Sequence, residues 1–365
     1  MKRQILHAGL IIIFLGVSLV LYSQQNRKAK IAVIQASAMP NQDPFMNDYD
    51  QSKVRPQMMA HFDKLLGLME QAGQMGADLV CGPEDMQHIG SYGLYIDQKD
   101  PATGKVLFSS LAVPVPGPLT DKVAAIAAKY RMYIIAPVYE ADGDKVYNTA
   151  VLFDRQGKII GKHRKTLLPI LETWEVTTGD NYEVFQTDFA KVAIATCWEI
   201  SYPEISSIYA LKGADIIFNP TMAADNKPGK SLETAHMFIT RARDNSVYIA
   251  PVVLGTDGNG IIDFDGNVLC ESVGKENTVV MSEIDFGKER IDDSKWWETI
   301  NGTNNIKAMR LKSRRPDIFN MLSDPNPPLL DKYKDIHLTT GDLKRQMEAV
   351  REVDYGPNAA KEASH

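Results

Sequence analysis

From Lys30 onward, short β-branched apolar runs alternate with segments whose apolar residues recur every three or four positions. The runs at 31–35, 79–81, 133–139, 150–153, 192–196, 215–219 and 247–254 predict strands, because unbroken or alternating β-branched stretches suit an extended pleated backbone. The longer period predicts helices over 61–75, 121–130 with Thr120 as cap, 203–211 and 232–245. Strands and helices in alternation indicate a layered α/β fold.

No Pro/Gly/Ser-rich linker and no fixed-period repeat interrupts residues 30–285, so a single domain is expected there. After Asp285 the periodicity weakens, and Pro316, Pro325, Pro327 and Pro328 punctuate the chain. Residues 286–365 are expected to form an extension that wraps the domain or a partner subunit, with a short helix near Thr340 and a polar tail.

Composition adds a compartment. With 44% hydrophobic residues in 365 the chain can build a large core, and its 40 basic and 46 acidic residues leave a net charge of −6. That balance disfavours a nucleic-acid partner. The first 42 residues hold no Asp or Glu but include Lys2, Arg3, Arg27, Lys28 and Lys30, leaving 35 basic against 46 acidic residues elsewhere. Residues 5–22 are almost uninterruptedly apolar, broken only by His7 and Ser18.

Residues 1–29 therefore read as a signal sequence or membrane anchor. The best small-x-small pair is Leu21 and Ser23, a poor cleavage site that favours an uncleaved anchor. The flanking charges are nearly matched, and the body is expected outside the cytoplasm, in the periplasm or secreted. Three cysteines, Cys81, Cys197 and Cys270, have neither CxxC spacing nor a nearby His pair, so neither a zinc site nor a disulfide framework is expected. An odd number leaves at least one free thiol to explain.

Three residues at strand ends could do chemistry. Cys197 follows Val192-Ala193-Ile194-Ala195 and precedes Trp198-Glu199 and Tyr202-Pro203-Glu204, so it sits at a strand-to-helix turn, where a helix N-terminus favours a thiolate. Alone, it reads more readily as a buried structural cysteine. Lys165 follows the strand-like Lys158-Ile159-Ile160 in a basic cluster, whose lysines are commonly solvated, and Glu84 ends the run Asp78-Leu79-Val80, where a carboxylate commonly caps a turn.

In combination, the order Glu, Lys, Cys at three strand ends resembles the nitrilase or carbon–nitrogen hydrolase superfamily. The resemblance covers about 30–285. It includes Lys30-Ile31-Ala32-Val33-Ile34-Gln35, Pro83-Glu84, Tyr147-Asn148-Thr149-Ala150, Asp154, Gly157-Lys158, Arg164-Lys165, Gly179-Asp180, Cys197-Trp198-Glu199, Pro203-Glu204, Arg241-Ala242-Arg243-Asp244-Asn245 and Ile262-Asp263-Phe264-Asp265-Gly266.

The resemblance implies a four-layer α-β-β-α sandwich with Glu84 as general base, Lys165 as oxyanion stabiliser and Cys197 as nucleophile, without metal or organic cofactor. Those roles are chemically coherent, since the carboxylate can take the thiol proton and the lysine cation meets the developing oxyanion. The Trp198 N–H is a candidate second oxyanion donor.

Glu172 resembles the second glutamate that many members place beside the triad, with Glu175 as its competitor. Trp174 and Trp198 are candidate substrate-pocket walls. Glu199 is expected to point away from Cys197, and neither His163 nor His88 is assigned a catalytic role. Segments 86–118 and 222–231 are expected to roof the pocket.

The implied reaction is hydrolysis of a non-peptide amide or carbamoyl amide through a cysteine thioester. The alternatives are nitrile hydrolysis, favoured by Cys-Trp-Glu, acyl transfer, and a non-catalytic scaffold of the same fold. The implied partners are a small-molecule amide or nitrile, the membrane through the N-terminal segment, and a second copy in a homodimer or higher homo-oligomer.

Overall fold

The computed structural model describes residues 27–334 except 39–41, 43, 45–47, 91–94, 97, 170–171, 223–229 and 256–257. Most of the expected leader, the helix expected near Thr340, the polar tail and much of the expected 222–231 roof lie outside the described residues. Among the described residues, no helix is long and apolar enough to cross a membrane.

Twelve strands form two six-stranded sheets among the described residues. The first contains β1 (Lys28–Gln35), β2 (Leu79–Cys81), β3 (Tyr133–Asp142), β4 (Lys145–Phe153), β5 (Ile159–Arg164) and β12 (Thr278–Asp285), in the order β12-β1-β2-β3-β4-β5. The second contains β6 (Val184–Gln186), β7 (Lys191–Ile194), β8 (Ile216–Thr221), β9 (Tyr248–Val253), β10 (Gly260–Ile262) and β11 (Val268–Glu271), in the order β11-β10-β9-β8-β7-β6. The three central strands of each sheet are parallel, β1-β2-β3 in one and β7-β8-β9 in the other.

Strand alternation divides the core into three layers. Ile31 and Val33 face the second sheet, where they join Ile194, Phe218 and Val252. Their neighbours Ala32 and Ile34 face outward onto Phe62, Leu65 and Met69 of α1 (Val54–Gln74) and onto Val123 and Ala127 of α3 (Pro118–Tyr130). On the far side, Ala193, Ile217 and Ile249 pack on Ile205 and Tyr209 of α4 (Pro203–Leu211) and on Phe238 and Ala242 of α5 (His236–Asn245). A strand covered on both faces must be apolar at successive positions, which explains the unbroken runs in the sequence. The result is the expected four-layer α-β-β-α sandwich. A short helix α2 (Leu107–Leu111) packs into the outer core of the first sheet, with Phe108 edge-on to Tyr139 of β3, and α6 (Lys295–Asn301) and α7 (Ile306–Lys312) belong to the extension.

Several boundaries differ from the sequence expectation. Helix α1 starts at Val54 rather than His61, because Pro56 fits a first turn whose N–H groups need no intrahelical partner. Thr120 is not the cap of α3. Gly117 is, and Thr120 Oγ1 reaches back one turn to accept the Gly117 N–H at 2.8 Å. The segment 232–245 is split, with a 3₁₀ turn at Leu232–Thr234 before α5. Strands β6, β10, β11 and β12 were not expected; β12 pairs antiparallel along the whole of β1, from Lys28↔Asp285 to Gln35↔Thr278.

Candidate active site

The parallel strands point their C-terminal ends to one edge of the sandwich, and there the proposed residues converge. Glu84 follows β2 by three residues, Lys165 follows β5 directly, and Cys197 follows β7 by three. Beyond β2 the edge of β3 would be bare, and the 82–90 segment fills it. Met86 N–H donates to Pro137 O at 3.0 Å, and the Gln87 amide bonds both N–H and C=O of Tyr139. With the Gly82 N–H donating to Ile135 O at 3.0 Å, these bonds fix the backbone on either side of Glu84.

Glu84 and Lys165 are each 1% exposed. Lys165 Nζ lies 3.0 Å from Glu84 Oε1 and 2.6 Å from Glu172 Oε2, so one cation serves two carboxylates. Asn148, on β4, donates from Nδ2 to Glu84 Oε1 at 2.8 Å and to Glu172 Oε1 at 2.9 Å. Tyr139 OH adds a third donor to the pair, 3.1 Å from Glu172 Oε1, and Met222 N–H donates to Glu84 Oε2 at 2.8 Å. Glu175, the competitor for the fourth position, instead accepts from Ser109.

Burial disfavours the Lys165 charge, but the Glu84 and Glu172 carboxylates outweigh it and raise the lysine pKa. Burial, reinforced by Glu84 and opposed by Lys165, raises the Glu172 carboxyl. The backbone that carries Lys165 is braced by Gly179, whose N–H donates to Lys165 O at 2.8 Å. A Cβ on Gly179 would stand 2.0 Å from Arg164 O, so only glycine fits there.

Cys197 is partly accessible and has φ 50°, a left-handed conformation that is rare for a side chain other than Asn or Asp. A 3₁₀ turn, Cys197–Ser201, begins at the cysteine itself, and α4 follows at Pro203. Asn219 Nδ2 donates to Ala195 O at 2.6 Å and Cys197 O at 3.2 Å, holding the strained turn to β8.

Burial and the Glu84 charge push the Cys197 thiol up to about 12, against Lys165 and a hydrogen bond with Thr221. Cys81, the last residue of β2, is buried between the two sheets, and burial raises its thiol as well.

Glu199 turns away from Cys197, as expected. It accepts from Thr166 N–H at 2.8 Å and Thr196 N–H at 2.6 Å and meets His163 Nε2 at 2.7 Å, tying the lysine-bearing segment to the cysteine-bearing one. Burial favours its neutral form, but His163 and the Thr166 donors outweigh burial and hold its carboxyl below the usual range.

Of the aromatic candidates, Trp198 is not turned inward. Its ring is 46% exposed, meets Tyr202 edge-on and donates from Nε1 to Tyr202 OH at 3.1 Å, because the left-handed Cys197 swings the next residue outward. Trp174 follows Glu172 in a 3₁₀ turn and packs against the outer core of the first sheet. The sequence reading had not assigned roles to Asn148, Tyr139 or Thr221. The available signal was the amide and hydroxyl groups standing inside otherwise apolar strands.

Residues 30–290 match the family model described as carbon-nitrogen hydrolase. The bifunctional nitrilase/nitrile hydratase NIT4B of Lupinus angustifolius is 37% identical over 189 residues, covering 49% of this chain and 53% of that protein. Beta-ureidopropionase of Arabidopsis thaliana is 31% identical over 204 residues, 53% of this chain and 46% of that protein. The chain thus spans about half the length of these plant relatives. Omega-amidase NIT2 of Xenopus tropicalis is 26% identical over 251 residues, 64% of this chain and 86% of that protein. Among solved structures, an amidase from Nesterenkonia sp. AN1 in complex with acrylamide aligns with a TM-score of 0.60 at 17% identity, over 81% of this chain and 97% of that one, a likeness of fold.

Proposed function

The chain belongs to the carbon–nitrogen hydrolase family, and on that premise we propose that it hydrolyses a small amide or carbamoyl amide through a thioester on Cys197. The observation that carries the reading is the cluster itself: a buried lysine shared by two carboxylates at strand ends, beside a thiol whose proton has to be removed before it can attack. Holding these charges out of water is costly, and catalysis is the use that accounts for the cost.

Glu84 takes the Cys197 proton as sulfur attacks the carbonyl carbon. The carbon–oxygen double bond opens onto an oxyanion that meets the Lys165 cation and the Trp198 N–H, a donor in the first turn of a helix with no intrahelical acceptor. Glu84 then returns the proton to the leaving nitrogen, the carbon–nitrogen bond breaks, and ammonia or an amine departs. Water, deprotonated by Glu84, attacks the thioester, releasing the acid and restoring the thiol. Glu172, tied to Lys165, Asn148 and Tyr139, orients the lysine and receives the substrate nitrogen.

A second reading, nitrile hydrolysis, is favoured by the 37% identity to NIT4B and by the Cys197-Trp198-Glu199 triplet. Ammonia release from a panel of amides, carbamoyl amides and nitriles, with Cys197→Ala as control, tests both. Release from nitriles alone selects the second. No release and no adduct mass on Cys197 with any substrate overturns both.

A further inference from the structure

Lys165 and Cys197 are anchored in different sheets. Lys165 N–H donates to Asn148 O of β4 at 2.8 Å, whereas Asn219 of β8 holds the Ala195 and Cys197 carbonyls. No strand pairing joins the two anchors among the described residues, since β5 pairs with β4, and β7 with β6 and β8. Between the sheets lie apolar side chains such as Leu152, Phe185 and Ile194, whose attraction is non-directional.

One carboxylate bridges that gap. Glu199 is fully buried and accepts from Thr196 N–H at 2.6 Å, Thr166 N–H at 2.8 Å, Thr166 Oγ1 at 2.7 Å and His163 Nε2 at 2.7 Å. Thr196 and Glu199 itself flank Cys197 in sequence, whereas His163 and Thr166 flank Lys165. A carboxylate can only accept, so the proton between Glu199 and Nε2 belongs to the ring. The other ring nitrogen lies 3.4 Å from Tyr209 OH, which donates to Ile194 O, at the end of β7, at 2.5 Å. Capping the 3₁₀ turn at Cys197 needs only the Thr196 bond. The other three reach across to the lysine-bearing segment, and a buried carboxylate that lost them would be left short of donors.

We propose that Glu199, with His163, is a positioning residue that sets the distance between the Lys165 ammonium and the Cys197 sulfur across the two sheets. Glu199 turns away from the sulfur and both side chains are buried, so they act through the segments they tie together. A misplacement of about 1 Å is enough to cost about 10²-fold in turnover, and reacting groups keep their places when a supporting shell of hydrogen bonds locks them. This role rests on the reading of Cys197 as the nucleophile. It also gives a use to a buried histidine that the chemistry of Glu84, Lys165 and Cys197 leaves idle.

The test follows alkylation of Cys197 by iodoacetamide against pH in the full chain, with Cys197→Ala giving the background from Cys81 and Cys270. The charges acting on the thiol are Glu84 and Glu172, which raise it, and Lys165, which lowers it. Loss of the bridge in Glu199→Gln or His163→Leu lets the lysine move away from the sulfur, so the profile is expected to shift to higher pH. In Glu199→Gln that is the opposite of what deleting a negative charge alone would do to a thiol. In both variants kcat is expected to fall by about 10²-fold with little change in KM. His163→Gln, whose amide N–H can reach Glu199, is expected to keep the wild-type profile and most of the turnover. Melting curves show which variants are folded, and Glu199→Gln carries the test if His163→Leu does not fold. A wild-type profile and kcat in a folded Glu199→Gln or His163→Leu overturn the proposal, as does a His163→Gln as impaired as His163→Leu. Shifted profiles in the variants, with no ammonia released by the wild type from any substrate, would strike the amide reading and leave the bridge standing.

Discussion

Glu172 Oε2 lies 2.6 Å from Lys165 Nζ, nearer than Glu84 Oε1 at 3.0 Å on the same nitrogen. The lysine is thus bound more closely to the carboxylate that sequence left ambiguous than to the proposed base. With Glu84 also accepting from Asn148 and Met222, that carboxylate is held by neutral donors on both oxygens, while Glu172 shares the cation and keeps it in place.

Removing the cation should therefore be worse for the fold than removing either anion. Lys165→Met leaves two buried carboxylates without a counter-charge, and about 3–5 kcal/mol of stability is expected to be lost. Adding Glu172→Gln to that variant should restore part of the loss, since one uncompensated charge disappears. Urea unfolding of the single and double variants checks this; a double variant less stable than Lys165→Met would refute the shared-cation account.

Glu84→Gln keeps the volume, and its amide oxygen can still accept from Met222 or Lys165, but it cannot take a proton. kcat/KM is expected to fall by about 10²–10⁴-fold while the unfolding midpoint moves little. Glu84→Gln also removes the charge that helps push the Cys197 thiol up to about 12, so the pH dependence of its alkylation by iodoacetamide should shift to lower pH in the same variant although turnover is lost. An unchanged pH dependence of alkylation would mean that the Glu84 charge does not act on the thiol.

Asn148 donates to both carboxylates, and its replacement separates hydrogen bonding from charge. Asn148→Leu loses two hydrogen bonds to charged acceptors, each worth about 1.5–3 kcal/mol in typical cases. Asn148→Asp loses them too and places a third carboxylate in the cluster, so it should be the more damaging at pH 7 and recover toward the leucine variant in acid. Circular dichroism melts at two pH values measure the order.

The architecture was legible where physics is local. Strands such as β2 and β7 are covered on both faces, so their letters had to be apolar at successive positions, and their ends located Glu84 and Cys197. By contrast, β12 carries Ser282 and Glu283 on an edge strand, and its partner, β1, lies about 250 residues away, so nothing in its own pattern announces it. The choice between Glu172 and Glu175 was likewise non-local: one turn of 3₁₀ helix aims the first at Lys165 and leaves the second against Ser109. The exposure of Trp198 and its pairing with Tyr202 follow a residue, Cys197, whose left-handed φ the sequence does not state.

Asp85 adjoins Glu84, is fully buried and accepts the Gly90 N–H at 2.7 Å. Burial, with the Glu84 charge adding to it, pushes its carboxyl up to about 7 from 3.8. The folded state thus holds this proton more tightly than the unfolded chain does, so the contribution to stability is complete below about pH 4 and is lost as pH rises through about 7. Asp85→Asn retains an acceptor for Gly90 and removes the buried charge. The variant is expected to be more stable than the wild type at pH 8 and to show a flatter stability profile between about pH 4 and 7, as urea midpoints across that range would report. Parallel profiles would remove Asp85 from the account.

The left-handed backbone at Cys197 makes a prediction in which two inactive variants differ. A non-glycine residue at φ 50° carries strain of about 1–2 kcal/mol, held here by the Asn219 bonds to Ala195 and Cys197 carbonyls. Cys197→Ala removes the proposed nucleophile but keeps a Cβ in that conformation; Cys197→Gly removes it and relieves the strain. Glycine also gains freedom in the unfolded chain, which offsets part of the relief. The net expectation is a glycine variant more stable than the alanine variant by up to about 1 kcal/mol, the reverse of the order found within helices and strands. Chemical denaturation of the two proteins side by side decides it, and an alanine variant equal to or more stable than the glycine one would show that the turn bearing the nucleophile is not strained.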